Sequence, residues 1–221
     1  MEKTDVMTQT RWSIDPEHSE IGFEIDFTVK HLMISHVKGI FKTFDANIYT
    51  HLNDFTTVGI DIWIDVNSIS TGDRKRDEHL KSADFFDAQN HKQITLVSKE
   101  IEKSDSSIDH ELWGELTMKG ITKSIKLNVE YSGMLTDPWK NERAGFMITG
   151  KIKRSDWGMV WNTILEIDDL MVSDEVTISC EVELIKVDQN GLTMQVEPAV
   201  EINNLNDSFL LNDLVVIKQY I

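Results

Sequence analysis

The chain has 221 residues, which is enough for one large domain with a sizeable core, or for one domain with an appendage. Its formal net charge of −16 argues against binding to nucleic acid or docking on anionic lipid, because their phosphates would repel such a surface. The one cysteine, Cys180, cannot form an internal disulfide. The first ten residues contain no apolar export leader and no run is long enough to span a membrane, so we expect a soluble cytoplasmic protein.

Most of the chain has the period-two alternation of half-buried β-strands. The clearest example is residues 19–28, where Ile21 and Phe23 fall on one face and Gly22 and Glu24 on the other. Residues 11–15 form a short first strand. The eight long strands are predicted at residues 19–28, 37–49, 58–66, 94–101, 112–118, 125–131, 146–152 and 176–184.

Two interruptions of this pattern are predicted in the first third of the chain. Residues 30–35 have the character of a single helical turn. The apolar phase slips between Phe41 and Phe44, which indicates a bulge.

One helix is predicted in this sheet-rich part, in the segment from Thr71 to Ala88, with Asp73 as its N-cap. Its apolar positions form only a loose inner face, so we expect it to lie on the surface over one end of the sheet. Phe85 and Phe86 close this segment, where they could gate or line an interior.

Long two-faced strands joined in sequence favour a closed antiparallel barrel, because closure leaves no exposed edge. The outer faces are charged and the inner faces almost wholly apolar. A barrel of eight strands is just wide enough for one slender ligand, or it can be filled by its own side chains. The pattern alone leaves both alternatives open.

The end of the chain differs from the rest. Residues 188–191 form a turn or linker, and the apolar residues 209–221 fit either a strand or a short helix. We therefore divide the chain into a lead (1–10), a barrel (11–187) and a C-terminal extension (188–221) that packs on the barrel, pairs with a second copy in a homodimer, or does both.

Two polar residues fall on apolar phases of predicted strands. Arg154 shares the phase of Ile148 and Ile152, and an inward charge is costly unless it is paired or near water. It would meet a ligand's polar head or a buried carboxylate at a barrel end, unless the strand ends first. His31 shares the phase of Phe27 and is either a polar group at a cavity mouth or a satisfied structural histidine.

The sequence gives no positive support for catalysis or for a metal site. Asp77, Glu78 and His79 are consecutive, so on a helix they point in different directions and cannot converge on one ion. None of the familiar hydrolase, nucleotide-binding or redox motifs occurs. Cys180 lies on an apolar phase and is expected to be an inert core residue.

Several short stretches follow one another in a specific order: Trp12–Ser19, Val37–Phe41, Ser68–Gly72, Arg76–Asp87, Gly114–Lys123, Arg143–Phe146 and Arg154–Met159. Together with Phe23 and His31 they resemble the YceI-like family, whose members are lipocalin-like proteins that bind polyisoprenoids and related lipids. The resemblance covers about residues 11–187.

The resemblance implies an all-β fold: an elongated antiparallel eight-stranded lipocalin-like barrel with one short inserted helix and an apolar tunnel for a long chain. It implies no catalytic residue and no cofactor. The expected partner is a long-chain isoprenoid or a fatty-acid-like lipid. The candidate ligand-binding residues are Phe23, Phe27, His31, Phe41, Ile62, Ile64, Phe85, Phe86, Leu116, Phe146, Arg154, Trp157 and Trp161.

The leading hypothesis is therefore a carrier or sequestering protein that is not an enzyme. Two alternatives remain. The first is a hydrolase-type or other enzyme acting on a small hydrophobic substrate with His31 or His79 as its acid–base group. The second is a ligand-free barrel that serves as a protein interaction module.

Overall fold

The computed structural model describes residues 9–29, 35–103, 109–161 and 170–187. One α-helix, α1 (Arg74–Lys81), and two 3₁₀ turns, Val66–Ser68 and Arg154–Trp157, accompany the strands in this part of the chain. The strands are β1 (Gln9–Ile14), β2 (Glu20–Val29), β3 (Ser35–Phe41), β4 (Phe44–His51), β5 (Asp54–Asp65), β6 (Ile69–Ser70), β7 (Gln93–Lys103), β8 (Asp109–Met118), β9 (Ile121–Thr136), β10 (Glu142–Lys153) and β11 (Leu170–Val187).

These strands form a closed antiparallel barrel with eight positions around the ring. We call each position a stave, and three of the eight staves consist of two successive short strands. β1 and β2 both pair with β11 and make up one stave, with Ile14 opposite Leu184 and Ile21 opposite Cys180. β3 and β4 make the next stave, and β5 and β6 the one after it. The ring continues through β7, β8, β9 and β10 and closes at β11. Closure pairs the backbone N–H and C=O groups that the edge strands of an open sheet would expose.

Alternating burial along the strands places the core inside the barrel. β4 shows this most clearly, since Phe44, Ala46 and Ile48 are buried while Asp45 and Asn47 are exposed. Inward-facing residues from all the long staves join one apolar cluster. The predicted all-β class and the closed barrel are confirmed.

The two ends of the barrel are built differently. The "helix end" carries α1, the tight turn between β8 and β9, and the start of β11. That turn has Lys119 at φ 51° and Gly120 at φ 74°, the left-handed pair that a two-residue hairpin requires. The "turn end" carries the turn at residues 52–53 and the turn at 137–141.

The helix begins where the sequence places its N-cap. The carboxylate of Asp73 accepts hydrogen bonds from the backbone N–H groups of Lys75 and Arg76. No residue of α1 is buried, so it lies on the surface as expected. It is shorter than the predicted segment, because the chain turns away at Ser82 and folds Phe85 and Phe86 back towards the barrel.

Several boundaries also differ from the prediction. The slip between Phe41 and Phe44 is a break between two strands of one stave, with Asp65 donating its N–H to the Thr43 carbonyl at 2.9 Å across it. The predicted helical turn at 30–35 falls almost wholly outside the described residues, and the C-terminal extension falls entirely outside them. Within the described ranges, no helix is both long and apolar enough to cross a bilayer.

Candidate functional site

The barrel encloses a central chamber of about 160 Å³. Apolar residues from nearly every stave line it, including six that the sequence predicts: Phe23, Phe41, Ile62, Ile64, Phe86 and Leu116. The thiol of Cys180 also lines the chamber, and desolvation raises its pKa to about 11. An apolar cavity of this size stays dry and accepts apolar guests.

A second, "far chamber" of about 60 Å³ continues the interior towards the turn end. The central and far chambers have six residues in common, among them Ile60, Leu112 and Ile148, so they adjoin inside the barrel, and we call the row of chambers the tunnel. Phe55, Phe146 and His110 line only the far chamber. Phe146, one of the predicted ligand-binding residues, therefore lies in the wall of the far chamber.

An "aromatic plug" of Trp12, Phe55, Tyr131 and Phe146 stands at this end of the tunnel. The ring centroid of Phe55 lies 5.0 Å from that of Trp12, 5.8 Å from Tyr131 and 4.9 Å from Phe146. Trp12 is fully buried, and its Nε1 donates to Thr50 Oγ1 at 3.0 Å. Mutual packing thus fixes the rings that bound the tunnel.

A third, "mouth chamber" of about 330 Å³ lies at the helix end, under α1. It shares Phe23, Phe86 and Met159 with the central chamber, so the two chambers meet at these side chains. The predicted residues Phe85, Arg154 and Trp161 line it as well.

The mouth chamber is cationic in a strongly acidic protein. Lys75, Arg76 and Arg154 line it together with His79, and its described lining contains no carboxylate. The apolar tunnel therefore ends in a chamber whose charges favour an anionic group.

Arg154 supplies the buried part of this charge. Its Nε donates to the Ser173 carbonyl at 2.9 Å, Nη1 to the carbonyls of Met159 and Trp161, and Nη2 to the Val172 carbonyl. Among the described residues no carboxylate forms an ion pair with it. Burial lowers the pKa of Arg154, since charge is costly away from water. The guanidinium thus holds the mouth wall together while keeping a net positive charge.

Three rings form the side of the mouth beneath the helix. His79 packs edge-on against Phe85 at 5.1 Å and Trp161 at 4.5 Å between centroids, and its Nε2 lies 3.0 Å from Asp84 Oδ2. This cluster joins α1 to the segment that follows β10. It explains how Phe85, which is outside the helix, comes to line the mouth.

The predicted residue Trp157 is not part of the lining of the three chambers. It is buried, its Nε1 donates to the Leu116 carbonyl at 3.2 Å, and it borders a groove on the outer wall between β9 and β10. Phe27 belongs to β2, but its side chain is outside the described part, and His31 is outside it altogether.

Sequence reasoning missed Lys75, Arg76 and Phe55. The third long strand was predicted to begin at Val58, whereas β5 begins at Asp54, so Phe55 was left outside the predicted strand. The alternation of Ile60 and Ile62 does not extend back to Phe55, because the pairing of β5 with β4 shifts register between Tyr49 and His51.

Outside the tunnel, Asp15, His18 and Glu183 bring ligand-type atoms within 4.8 Å of one another. Arg143 occupies the middle of this cluster: its Nη1 donates to Asp15 Oδ2 at 2.7 Å and to Glu183 Oε1, and its Nε to Asp137 Oδ2 at 2.8 Å. A guanidinium already donates to all three carboxylates and occupies the space between them, so the geometry fits an ion-pair network rather than a metal site.

Closure, strand order and a continuous apolar interior define the protein as a lipocalin-like antiparallel barrel with an internal tunnel. The chain matches the YceI-like domain family over residues 12–184, and it belongs to that family. UPF0312 proteins of Staphylococcus epidermidis and Staphylococcus aureus are each 35% identical over 175 residues, covering 79% of this chain and 96% of theirs.

Solved structures share the architecture. The YCEI protein of Campylobacter jejuni is 33% identical, with a TM-score of 0.60 over 71% of this chain and 89% of that one. BcnA of Burkholderia cenocepacia has a TM-score of 0.63 at 23% identity, covering 77% and 98% of the two chains. A polyisoprenoid binding domain from Saccharophagus degradans has a TM-score of 0.53 at 15% identity, covering 79% and 98%. The last two likenesses concern the fold alone.

Proposed function

We propose that the protein binds a single-chain amphiphile, an isoprenoid or a fatty-acid-like lipid, and carries or sequesters it. The apolar chain lies in the central and far chambers, and an anionic head lies in the mouth chamber beside Arg154. One observation carries the proposal: a dry apolar tunnel opens into a chamber lined by cations without a carboxylate.

The energetics favour such a ligand. Each methylene moved from water into the tunnel gains about 0.8 kcal/mol. About ten buried methylenes therefore outweigh the several kcal/mol that association costs. The tunnel is narrow, so it suits one slender chain rather than a fused ring system or a two-chain lipid.

The head-group assignment depends on Arg154. Four of its five N–H groups are bonded to backbone carbonyls, which leaves one N–H on Nη2. The carboxylate of Asp174 interacts with the guanidinium electrostatically but forms no ion pair with it, so a cation is still available to a ligand. A carboxylate or phosphate oxygen can accept from this N–H and balance the positive charge. Such charged hydrogen bonds are about twice as strong as those between neutral groups.

The relatives are consistent with a binding role. The Saccharophagus domain that shares the fold is named for binding polyisoprenoids, and the names of the relatives describe no catalytic activity. The described tunnel also lacks a cluster of nucleophile, base and oxyanion donors. We therefore infer a binding protein rather than an enzyme.

The test is displacement of a fluorescent fatty acid by hexadecanoic acid and by hexadecanol, which share a chain length and differ in the head. We expect the acid to bind about tenfold more tightly, and the preference to vanish in Arg154→Met. Lys99→Met, which removes one exposed charge from the outer wall, is the matched control and should keep it.

Two outcomes would count against the proposal in different ways. If neither amphiphile displaces the reporter, and native mass spectrometry of freshly purified protein shows no retained lipid, the binding function is wrong. If both bind the wild type equally, the tunnel assignment stands and the role of Arg154 is wrong.

A further inference from the structure

We infer that the aromatic plug is a stop that limits the length of the bound chain, with Phe55 and Phe146 as the residues that set the limit. The inference rests on the proposed function and adds a selectivity that the fold alone does not imply. It concerns which members of a homologous lipid series the tunnel accepts.

A length limit needs two fixed points. The first is the mouth, where Arg154 holds the head. The second is the far chamber, whose lining includes Phe55 and Phe146. Eight residues separate Phe146 from Arg154 along the chain, which corresponds to about 26 Å of strand at about 3.3 Å per residue. A chain anchored at the mouth thus has a defined distance to run.

The stop is rigid because its rings support one another. Phe146 contacts both Phe55 and Tyr131, at 4.9 and 5.3 Å between centroids. Trp12 is fixed behind Phe55 by its hydrogen bond to Thr50. A longer chain would have to displace packed rings, and interiors packed in this way yield only at a cost.

The sizes of the three chambers are consistent with a stop at the far end of the tunnel. The free volume decreases from about 330 Å³ at the mouth to about 160 Å³ in the centre and about 60 Å³ beside the plug. The far chamber can therefore hold the last carbons of a chain but not a further length of it.

The dependence of affinity on chain length follows from this geometry. Each added methylene should tighten binding about fourfold while it is still being buried. Once the chain tip reaches Phe55 and Phe146, further methylenes have nowhere to go, and the gain should stop. A tunnel open at both ends would show no such break.

The experiment measures displacement of parinaric acid by straight-chain fatty acids from octanoic to tetracosanoic acid, each below its critical micelle concentration. We expect a break in the wild-type curve, and a break at longer chains in Phe55→Leu and Phe146→Leu. Leucine keeps both sites apolar and removes only part of each ring, so these variants should fold more readily than the alanine variants.

Phe86→Leu is the matched control, since it makes the same change between the mouth and central chambers. It should alter affinity at all lengths without moving the break. A wild-type curve without a break overturns the stop, and so does a break that stays in place in both plug variants. Failure of every acid to bind would instead contradict the proposed function.

Discussion

Arg154 donates a hydrogen bond through Nη1 to the carbonyl oxygen of Trp161 at 3.0 Å, which joins the buried cation directly to the aromatic wall of the mouth. The same guanidinium reaches the carbonyl of Val172 on β11. One side chain therefore holds the segment after β10 against the start of β11. The charge proposed to hold the ligand's head also maintains the chamber.

The two roles of Arg154 can be separated by substitution. Arg154→Met leaves four carbonyls without their donor in a largely buried site, and we expect the protein to lose about 3 kcal/mol of unfolding free energy. Arg154→Lys keeps the charge but cannot reach all four carbonyls, so it should lose part of the stability and keep much of the preference for an acid head. Urea denaturation, together with the displacement assay, measures both.

Lys99→Met again serves as the control, because its exposed ion pair with Glu115 should contribute little. If Arg154→Met were as stable as the wild type, the carbonyl contacts would not be supporting the mouth.

Gly39 is predicted to tolerate no side chain. A Cβ there would lie 2.3 Å from Cζ of Phe23 and 2.9 Å from the Thr71 methyl group. Because Phe23 lines both the central and the mouth chambers, Gly39→Ala should displace its ring, cost about 2 kcal/mol of stability and weaken lipid binding. Thermal denaturation and the displacement assay test both effects.

Gly59→Ala is the matched substitution, since nothing lies within 4 Å of a Cβ at that position on β5. It should leave binding unchanged and stability nearly so. Equal effects at Gly39 and Gly59 would show that the loss comes from the strand backbone and not from Phe23.

The barrel could be predicted from sequence because burial on one face imposes a period of two. In β4 the alternation of Phe44, Ala46 and Ile48 with polar residues leaves only one face that can be buried. The N-cap at Asp73 could be predicted equally well, because its carboxylate bonds to N–H groups only two and three residues further along the chain. Breaks within staves, such as the one after Phe41, depend on the neighbouring strand and are less visible in the sequence.

The candidate site could be predicted only in part. Phe23 was found because it lies on the apolar phase of β2, and Arg154 because it continues the apolar phase of β10 into the turn that follows this strand. Lys75 and Arg76 belong to a surface helix, where charges are ordinary, and only the fold brings them to the same chamber as Arg154. The tunnel itself depends on how tightly inward side chains pack, and no pattern in the sequence encodes that.

The N-cap of α1 should control the local stability of the mouth. Asp73→Ala removes the acceptor for the N–H groups of Lys75 and Arg76, so we expect amide exchange in residues 74–81 to become several-fold faster. Glu78→Ala, an exposed change on the same helix, is the control and should alter exchange less. Equal acceleration in both variants would assign the effect to helix charge instead of capping.

The Arg143 network should make the protein sensitive to acid. Desolvation alone would raise the pKa of Asp137, but hydrogen bonds from Arg143 and Asn141 outweigh it and lower the pKa to about 2 from an ordinary value of 3.8. The pKa of Asp15 is lowered as well, chiefly because bonds from His18 and Arg143 outweigh its desolvation. A carboxylate whose pKa is depressed by folding stabilises the native state above its unfolded pKa.

That stabilisation should therefore be complete above about pH 4 and disappear as the pH falls towards 2, where protonation removes the partner of Arg143. Urea midpoints measured across this window should fall steeply in the wild type. In Asp137→Asn the protein should be less stable at neutral pH and the fall shallower, because the variant lacks this carboxylate and takes up one proton fewer on unfolding. Asp61→Asn, an exposed change on the outer wall, should leave the slope intact. An Asp137→Asn slope as steep as that of the wild type would mean that Asp137 is not what acid titrates in this network.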